Sequence, residues 1–376
     1  MLYFILFFGL ALLSLLDLLR LEKRVRMLLG GLVMLLFMIL GTIKWETGTD
    51  WLNYHDFFTD KATWDEFNNG DFELGYTALS YIIRGISGSY TLFLSVFIFL
   101  VLIFKFLFFC STRFLPHLLI TLLLYYSFFI GDVFATRQAL AISITLYSTK
   151  YILSRQLPLF VLTVYIACLF HVTALIFLPA YFLYSFTFSR KTLLFGLASS
   201  ALLGFVLSSL PIASMISQAL ALQGRLGERL DIYSVLSDQG DDPTGSSIDP
   251  KVSYILALSR RVVIILPIVV VLNQLRARFP HSNVLVNIVV FGNMLYLILT
   301  PILPVMKRAT AYYDAYELIL LPSLVLLPKS RWMQYLIWLV ITIYSLSKLT
   351  SVLLHFWDLY TPFNTIFDSP INRNLR

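Results

Sequence analysis

The stretch Leu-Phe-Leu-Ser-Val-Phe-Ile-Phe-Leu-Val-Leu-Ile-Phe (92–104) carries no charge and shows no alternation of apolar and polar residues. Hydrocarbon offers the backbone no water to bond, so a membrane-crossing segment is either a helix or a strand of a closed barrel. Barrel strands alternate apolar and polar side chains. This run does not, so it is a helix. Similar runs lie on both sides of it, and we place spans at 2–19, 27–43, 90–109, 115–131, 134–153, 157–171, 172–187, 192–212, 253–273, 283–304, 309–328 and 332–349. The composition agrees: 59% hydrophobic and 13% charged, with mean hydropathy +0.81, is not that of a soluble globular protein. At about 20 apolar residues per crossing, 376 residues hold roughly a dozen crossings. The expected fold is an all-α polytopic integral membrane protein of about 12 transmembrane helices (10–12), forming one transmembrane domain over residues 1–376.

The charges sort by sign. The turns Arg20–Arg26, Lys105–Arg113, Lys150–Arg155, Arg190–Lys191, Arg276–Arg278 and Lys329–Arg331 hold 14 of the 28 Lys and Arg. On that side stand only Asp17 and Glu22 of the 21 acidic residues. Such asymmetry follows from insertion, so the basic turns are expected in the cytoplasm, with both termini and any chemistry on the opposite side. The net charge of +7 is thereby explained without nucleic acid. The first run has no basic region before it and Arg20, Lys23, Arg24 and Arg26 after it, which predicts an anchor rather than a cleavable signal. Cys110 and Cys168 form no disulfide or zinc pattern. No internal repeat relates the two halves.

Two outer loops are long. Loop 1 (44–89) carries eight acidic residues against Lys44, Lys61 and Arg84, interleaved with Trp45, Trp51, Tyr54, Trp64 and Tyr76. Aromatic rings and carboxylates together suggest a carbohydrate surface; the bland alternative is a solvated acidic face. Loop 2 (213–252) starts amphipathic and turns polar over 237–250, where a flexible loop is expected. Its aspartates lack the ligand spacing of a calcium-binding helix-loop-helix. The hairpin at 157–187 is short. Between Arg155 and Arg190 lie 34 residues that must cross twice, about 25 Å per arm at helical rise. The turn around His171 is therefore expected below the outer surface, in a cavity open to that side.

Charged side chains at membrane depth are costly and usually face a cavity or a partner. Arg137, His171, the pair Arg260–Arg261, and Lys307 with Arg308 qualify. Arg137, Lys307 and Arg308 have an alternative as snorkelling side chains, and His171 as a packed turn residue. Arg260 and Arg261 point different ways around a helix, so one is expected to face a cavity and the other to pair with an outer-loop carboxylate. Several guanidinium groups on one side suit a diphosphate, which they bind bidentately while keeping their charge. A diphosphate leaving group and an acceptor hydroxyl deprotonated by His or a carboxylate amount to glycosyl transfer from a lipid-linked sugar. Loop 1 has no Asp-x-Asp pair of the kind a metal-bound nucleotide-sugar enzyme uses. A glycan ligase using the same donor and a lipid-linked oligosaccharide flippase are the rival readings.

Five ordered pieces carry a family resemblance: Gly-Thr-Asp-Trp-Leu-Asn-Tyr (48–54), Phe-Glu-Leu-Gly-Tyr (72–76), Thr-Arg-Gln-Ala-Leu-Ala (136–141), Phe-His-Val-Thr-Ala-Leu (170–175) and Lys-Arg-Ala-Thr-Ala-Tyr-Tyr (307–313). The set resembles bacterial exopolysaccharide and O-antigen polymerases of the EpsG type, within the Wzy group. The resemblance implies a GT-C-like, metal-independent membrane glycosyltransferase that uses no cofactor. Such an enzyme polymerises undecaprenyl-diphosphate-linked repeat units on the outer, periplasmic face of the bacterial inner membrane. The growing glycan passes from its lipid diphosphate to the non-reducing end of the next lipid-linked unit. Donor and acceptor are thus both undecaprenyl-diphosphate-linked glycans, with room for a chain-length regulator as protein partner. By the same resemblance Arg137 and Arg308 bind diphosphate, and His171, or failing that Asp50 or Glu73, takes the acceptor proton. Arg260 or Arg261 adds a basic ligand, and Tyr54, Tyr312 and Tyr313 line the sugar site.

Overall fold

The computed structural model describes residues 1–19, 21–48, 50–111, 117–134, 136–208, 250–279, 281–302, 306–355 and 357–368. Loop 2 up to residue 249 therefore lies outside the described residues, as do Arg20 and Arg113. The helices run in chain order as α1 (Leu2–Ser14), α2 (Lys23–Ile43), α3 (Trp51–Thr59), α4 (Trp64–Phe67), α5 (Leu74–Ile86) and α6 (Tyr90–Phe109). Next come α7 (Leu118–Phe134), α8 (Thr136–Leu153), α9 (Leu157–Cys168) and α10 (Arg190–Ser208). After the gap follow α11 (Pro250–Val270), α12 (Leu272–Arg278), α13 (Ser282–Leu299), α14 (Lys307–Asp314), α15 (Glu317–Leu324), α16 (Arg331–His355) and α17 (Trp357–Tyr360). Two 3-10 segments, Leu15–Leu19 and Val172–Ser185, complete the set. Each expected span falls mainly on helix. Among the described residues six helical stretches are long and apolar enough to cross a membrane, and several shorter apolar helices accompany them. The protein is an all-α polytopic membrane protein.

The described chain forms two compact units: residues 1–181 with 321–376, and residues 182–320. In the first unit α7 is the central element. Its sequence is apolar all round, which marks a helix buried on every side. Leu118 to Tyr126 are all buried, and Phe37 of α2 stacks on Tyr126 and Phe129.

Both ends of α7 are satisfied by charged side chains. At its start Asp17 accepts from the N–H groups of Leu119 (2.7 Å) and Ile120 (3.1 Å). The Arg26 Nε lies 2.8 Å from the other carboxylate oxygen, a charge contact off the hydrogen-bond line. A carboxylate at a helix N-terminus meets both orphan N–H groups and the positive end of the dipole. At the other end Lys44 donates to the Val133 carbonyl, one of the acceptors a helix C-terminus leaves over. Asp132 accepts from Lys105 and from the Tyr125 hydroxyl (2.8 Å).

This changes the charge reading. Lys105 is not a turn charge but stands inside α6, 2% exposed and ion-paired with Asp132. Asp17 is not a stray inner acid but the cap of α7. Lys44 is in turn held by the C-terminal segment. Thr365 bridges to it, Trp45 N–H donates to Asn364 O (2.9 Å) and Ile366 N–H to Ile43 O (2.9 Å).

Loop 1 is more than the solvated face of the bland alternative. It folds into α3, α4 and α5, and Trp51, Tyr54, Phe57, Phe58, Phe67 and Tyr76 are buried. Aromatic side chains bury large apolar areas, and here they do so against each other and against α6: Phe58 packs on Phe93 (5.0 Å) and Tyr76 on Phe97 (5.6 Å). The short hairpin also departs from simple helical rise. Its second arm is a 14-residue 3-10 segment containing Pro179, which at about 2.0 Å per residue reaches about 28 Å, whereas the 12-residue α9 reaches only about 18 Å.

In the second unit α10 and α13 approach closely at Gly204, where a Cβ would lie 2.0 Å from the Leu297 carbonyl oxygen. Asn287 of α13 donates to the Leu183 (3.0 Å) and Phe186 (2.8 Å) carbonyls, and Arg276 of α12 to the Phe188 carbonyl (2.8 Å).

Asp17→Ala removes the acceptor of two buried N–H groups and the counter-charge of Arg26. It should cost about 2–4 kcal/mol, measured as a fall in the denaturation midpoint of the detergent-solubilised protein. An unchanged midpoint would contradict the capping role.

Candidate functional site

Three of the expected site residues meet in the first unit. Arg137 is the second residue of α8, Glu73 is the residue before α5, and Tyr54 lies on α3. The Arg137 guanidinium donates through Nε to the Tyr54 hydroxyl (3.2 Å) and through Nη1 to Glu73. It lies 4.4 Å from the centre of the Phe72 ring. The two charged side chains are 19% and 21% exposed, so the pair is largely but not wholly withdrawn from the surface. Burial pushes the Tyr54 and Tyr76 phenols above the ordinary tyrosine range, which keeps both rings neutral around the ion pair.

The His171 turn joins the same cluster through the backbone. Gly75 N–H donates to the Leu169 carbonyl (2.6 Å), and Val172 N–H to the second oxygen of Glu73 (3.4 Å). A Cβ at position 75 would stand 2.7 Å from that carbonyl oxygen, so glycine is what lets α5 reach the turn. His171 Nδ1 is 2.6 Å from the Thr173 hydroxyl. Phe170 packs its ring on Phe97 (6.3 Å). Phe97 is seven residues into α6, so the turn lies about 10 Å in from the Tyr90 end of that helix.

Asp50 precedes α3, and its charge acts on Lys44, Tyr54 and Tyr360. Burial pushes the Lys44 amine down to about 7, against a smaller upward pull from Asp50.

The remaining candidates lie in the second unit. Arg261 makes a two-pronged ion pair with Asp314 (2.8 and 2.9 Å), a hydrogen bond to Asn293 (2.8 Å), and sits 3.5 Å from the Tyr296 ring centre. The carboxylate expected from an outer loop comes instead from α14. Arg260 lies on α11, and its side chain is outside the described residues. A cavity of about 230 Å³ opens beside Arg261 and Asn293 with aliphatic walls that include Leu194, Leu197, Val262 and Leu266. Tyr312 and Tyr313 are wholly buried, so they pack the unit rather than present a face to sugar. Arg308 is exposed in the first turn of α14, next to Lys307. Cations at a helix N-terminus oppose the dipole. Arg137 and Arg308 both break that rule, and an anion bound there would restore it.

The family model of the EpsG family matches residues 27–365. The chain belongs to the EpsG family. No curated protein and no solved structure matches it at a significant level. Family membership points to an activity of the polysaccharide-polymerase type, and the match spans every residue of the Arg137 cluster.

The pairing of Lys105 with Asp132 and the capping role of Asp17 are functions that the sequence pattern does not show. A lone carboxylate two residues inside the end of an apolar run was the available signal.

Gly75→Ala forces the Leu169 carbonyl away from α5. Polymer made per folded protein should fall at least tenfold, as read from product gels normalised to inserted protein. Unchanged output would show that the turn does not need this approach.

Proposed function

We propose that this EpsG-family protein polymerises lipid-diphosphate-linked oligosaccharide repeat units at the outer face of the bacterial cytoplasmic membrane. The observation that carries the reading is Arg137 in the first turn of α8, held by Glu73 and Tyr54 beside the His171 turn. In this arrangement a carboxylate occupies the place an anionic substrate would take. A donor diphosphate competes for Arg137, because guanidinium binds phosphate oxygens at least as well as carboxylate.

The reaction then follows. The bond between the donor's anomeric carbon and the diphosphate oxygen breaks, and the leaving diphosphate keeps the electron pair. The guanidinium stabilises the charge developing on that oxygen. A hydroxyl at the non-reducing end of the acceptor unit forms the new bond to the anomeric carbon. Its proton passes to Glu73, freed from Arg137 by the incoming diphosphate; His171, whose neighbour Val172 donates to the same carboxylate, is the second candidate. Arg308, exposed in the first turn of α14, keeps its proposed role as an anion ligand. The lipid diphosphate is undecaprenyl diphosphate in this reading. Asp50 sets the field around Tyr54 rather than taking the proton itself.

Purified protein in lipid, supplied with a diphosphate-linked repeat unit from its host, should make a ladder of repeat lengths. Arg137→Ala should lower the rate about 10²–10³-fold, and Glu73→Gln about 10²–10⁴-fold if it is the base. Full-length polymer from correctly inserted Arg137→Ala would rule the mechanism out. Substrate moved to the opposite leaflet with no ladder would point to a flippase instead.

A further inference from the structure

Two buried lysines from different helices meet the same end of α7, and neither takes part in the chemistry above. Lys44 follows α2 and donates to the Val133 carbonyl; Lys105, inside α6, pairs with Asp132, which also accepts from Tyr125. All four side chains are buried or nearly so. Ion pairs at such depth carry a desolvation penalty and are poor evidence for stability. Charged residues inside membrane helices most often mark function.

Their place in the chain suggests which. Position 135 alone separates the end of α7 from the start of α8, and Arg137 is the second residue of α8. Four steps of 3.8 Å between successive Cα atoms therefore tether the origin of the Arg137 side chain to within about 15 Å of Val133. From the other direction Arg137 is held by the side chains of Tyr54 and Glu73 and by the rings of Phe72 and Tyr76. If a substrate displaces Glu73, one of those tethers is lost, and the helix end must hold the guanidinium in place. Lys44 brings a further constraint, since the bridge to Thr365 ties it to the C-terminal segment.

We infer that Lys44 and the Lys105–Asp132 pair are positioning residues, which clamp the end of α7 so that Arg137 keeps its aim when its carboxylate partner is exchanged for substrate. The inference rests on the proposed role of Arg137.

The test is a cycle of rates per folded protein in lipid nanodiscs, on the diphosphate-linked repeat unit. Lys105→Met with Asp132→Asn removes both charges together, so no unpaired ion is left behind, and Asn still accepts from Tyr125. Lys44→Met is the independent second variant should the first fail to fold. Each is measured alone and in an Arg137→Lys background, where the charge stays but the planar fork is lost. The expected result is about a tenfold rate loss alone and less than twofold on top of Arg137→Lys. Wild-type rates, or equal losses in both backgrounds, would overturn the inference and leave these residues structural. An Arg137→Lys protein as fast as wild type would instead sink the proposed role of Arg137 itself.

Discussion

The first unit is organised by one requirement: the ends of a helix buried on all sides must find partners without water. The N–H groups at the start of α7 and the carbonyls at its end cannot be left bare in an apolar interior. Asp17 answers the first need, and Lys44 the second. Each partner is then placed by its own surroundings. Arg26 at the start of α2 faces Asp17, and the C-terminal segment pairs with the residues around Lys44. One helix thereby ties together α2, the segment after α1, and the chain beyond α16. Arg137 is tethered to this helix end, because position 135 alone separates the end of α7 from the start of α8.

Around Arg137 the same logic produces a site. A guanidinium withdrawn from the surface needs a counter-charge and acceptors. Glu73 and Tyr54 supply them, from the start of α5 and from α3, in a segment that would otherwise be a polar loop. The aromatic residues of that loop are the reason it folds. They pack on each other and on α6, and their burial carries Glu73 and Tyr54 down beside Arg137 and the His171 turn. The second unit repeats the motif in a tighter form, with Arg261 between Asp314, Asn293 and Tyr296. There the ion pair is closed from several directions. The Arg137 pair shares its carboxylate with a single long N–H contact on the second oxygen, which suits an exchangeable partner.

Most of the helical architecture was legible in the sequence, because apolar run length maps directly onto span position. Arg137, Glu73 and Tyr54 were named as site residues from their motifs, and the structure brings them into contact. What the sequence hid were pairings across distance. Lys105 looked like a turn charge, since four residues separate it from the end of an apolar run and its partner Asp132 lies 27 positions on. Tyr312 and Tyr313 looked like sugar ligands because aromatic residues near charges suit both packing and binding, and only three-dimensional burial separates the two. The second arm of the 157–187 hairpin is a 3-10 segment, which run length does not reveal.

The account makes Arg137 an anion site whose resting partner is Glu73. The most direct measurement is a structure of the protein in lipid with undecaprenyl diphosphate bound. The account predicts Arg137 nitrogens on phosphate oxygens, with the Glu73 carboxylate released from the guanidinium and turned toward the His171 side. A diphosphate bound elsewhere, with the Arg137–Glu73 pair intact, would contradict it.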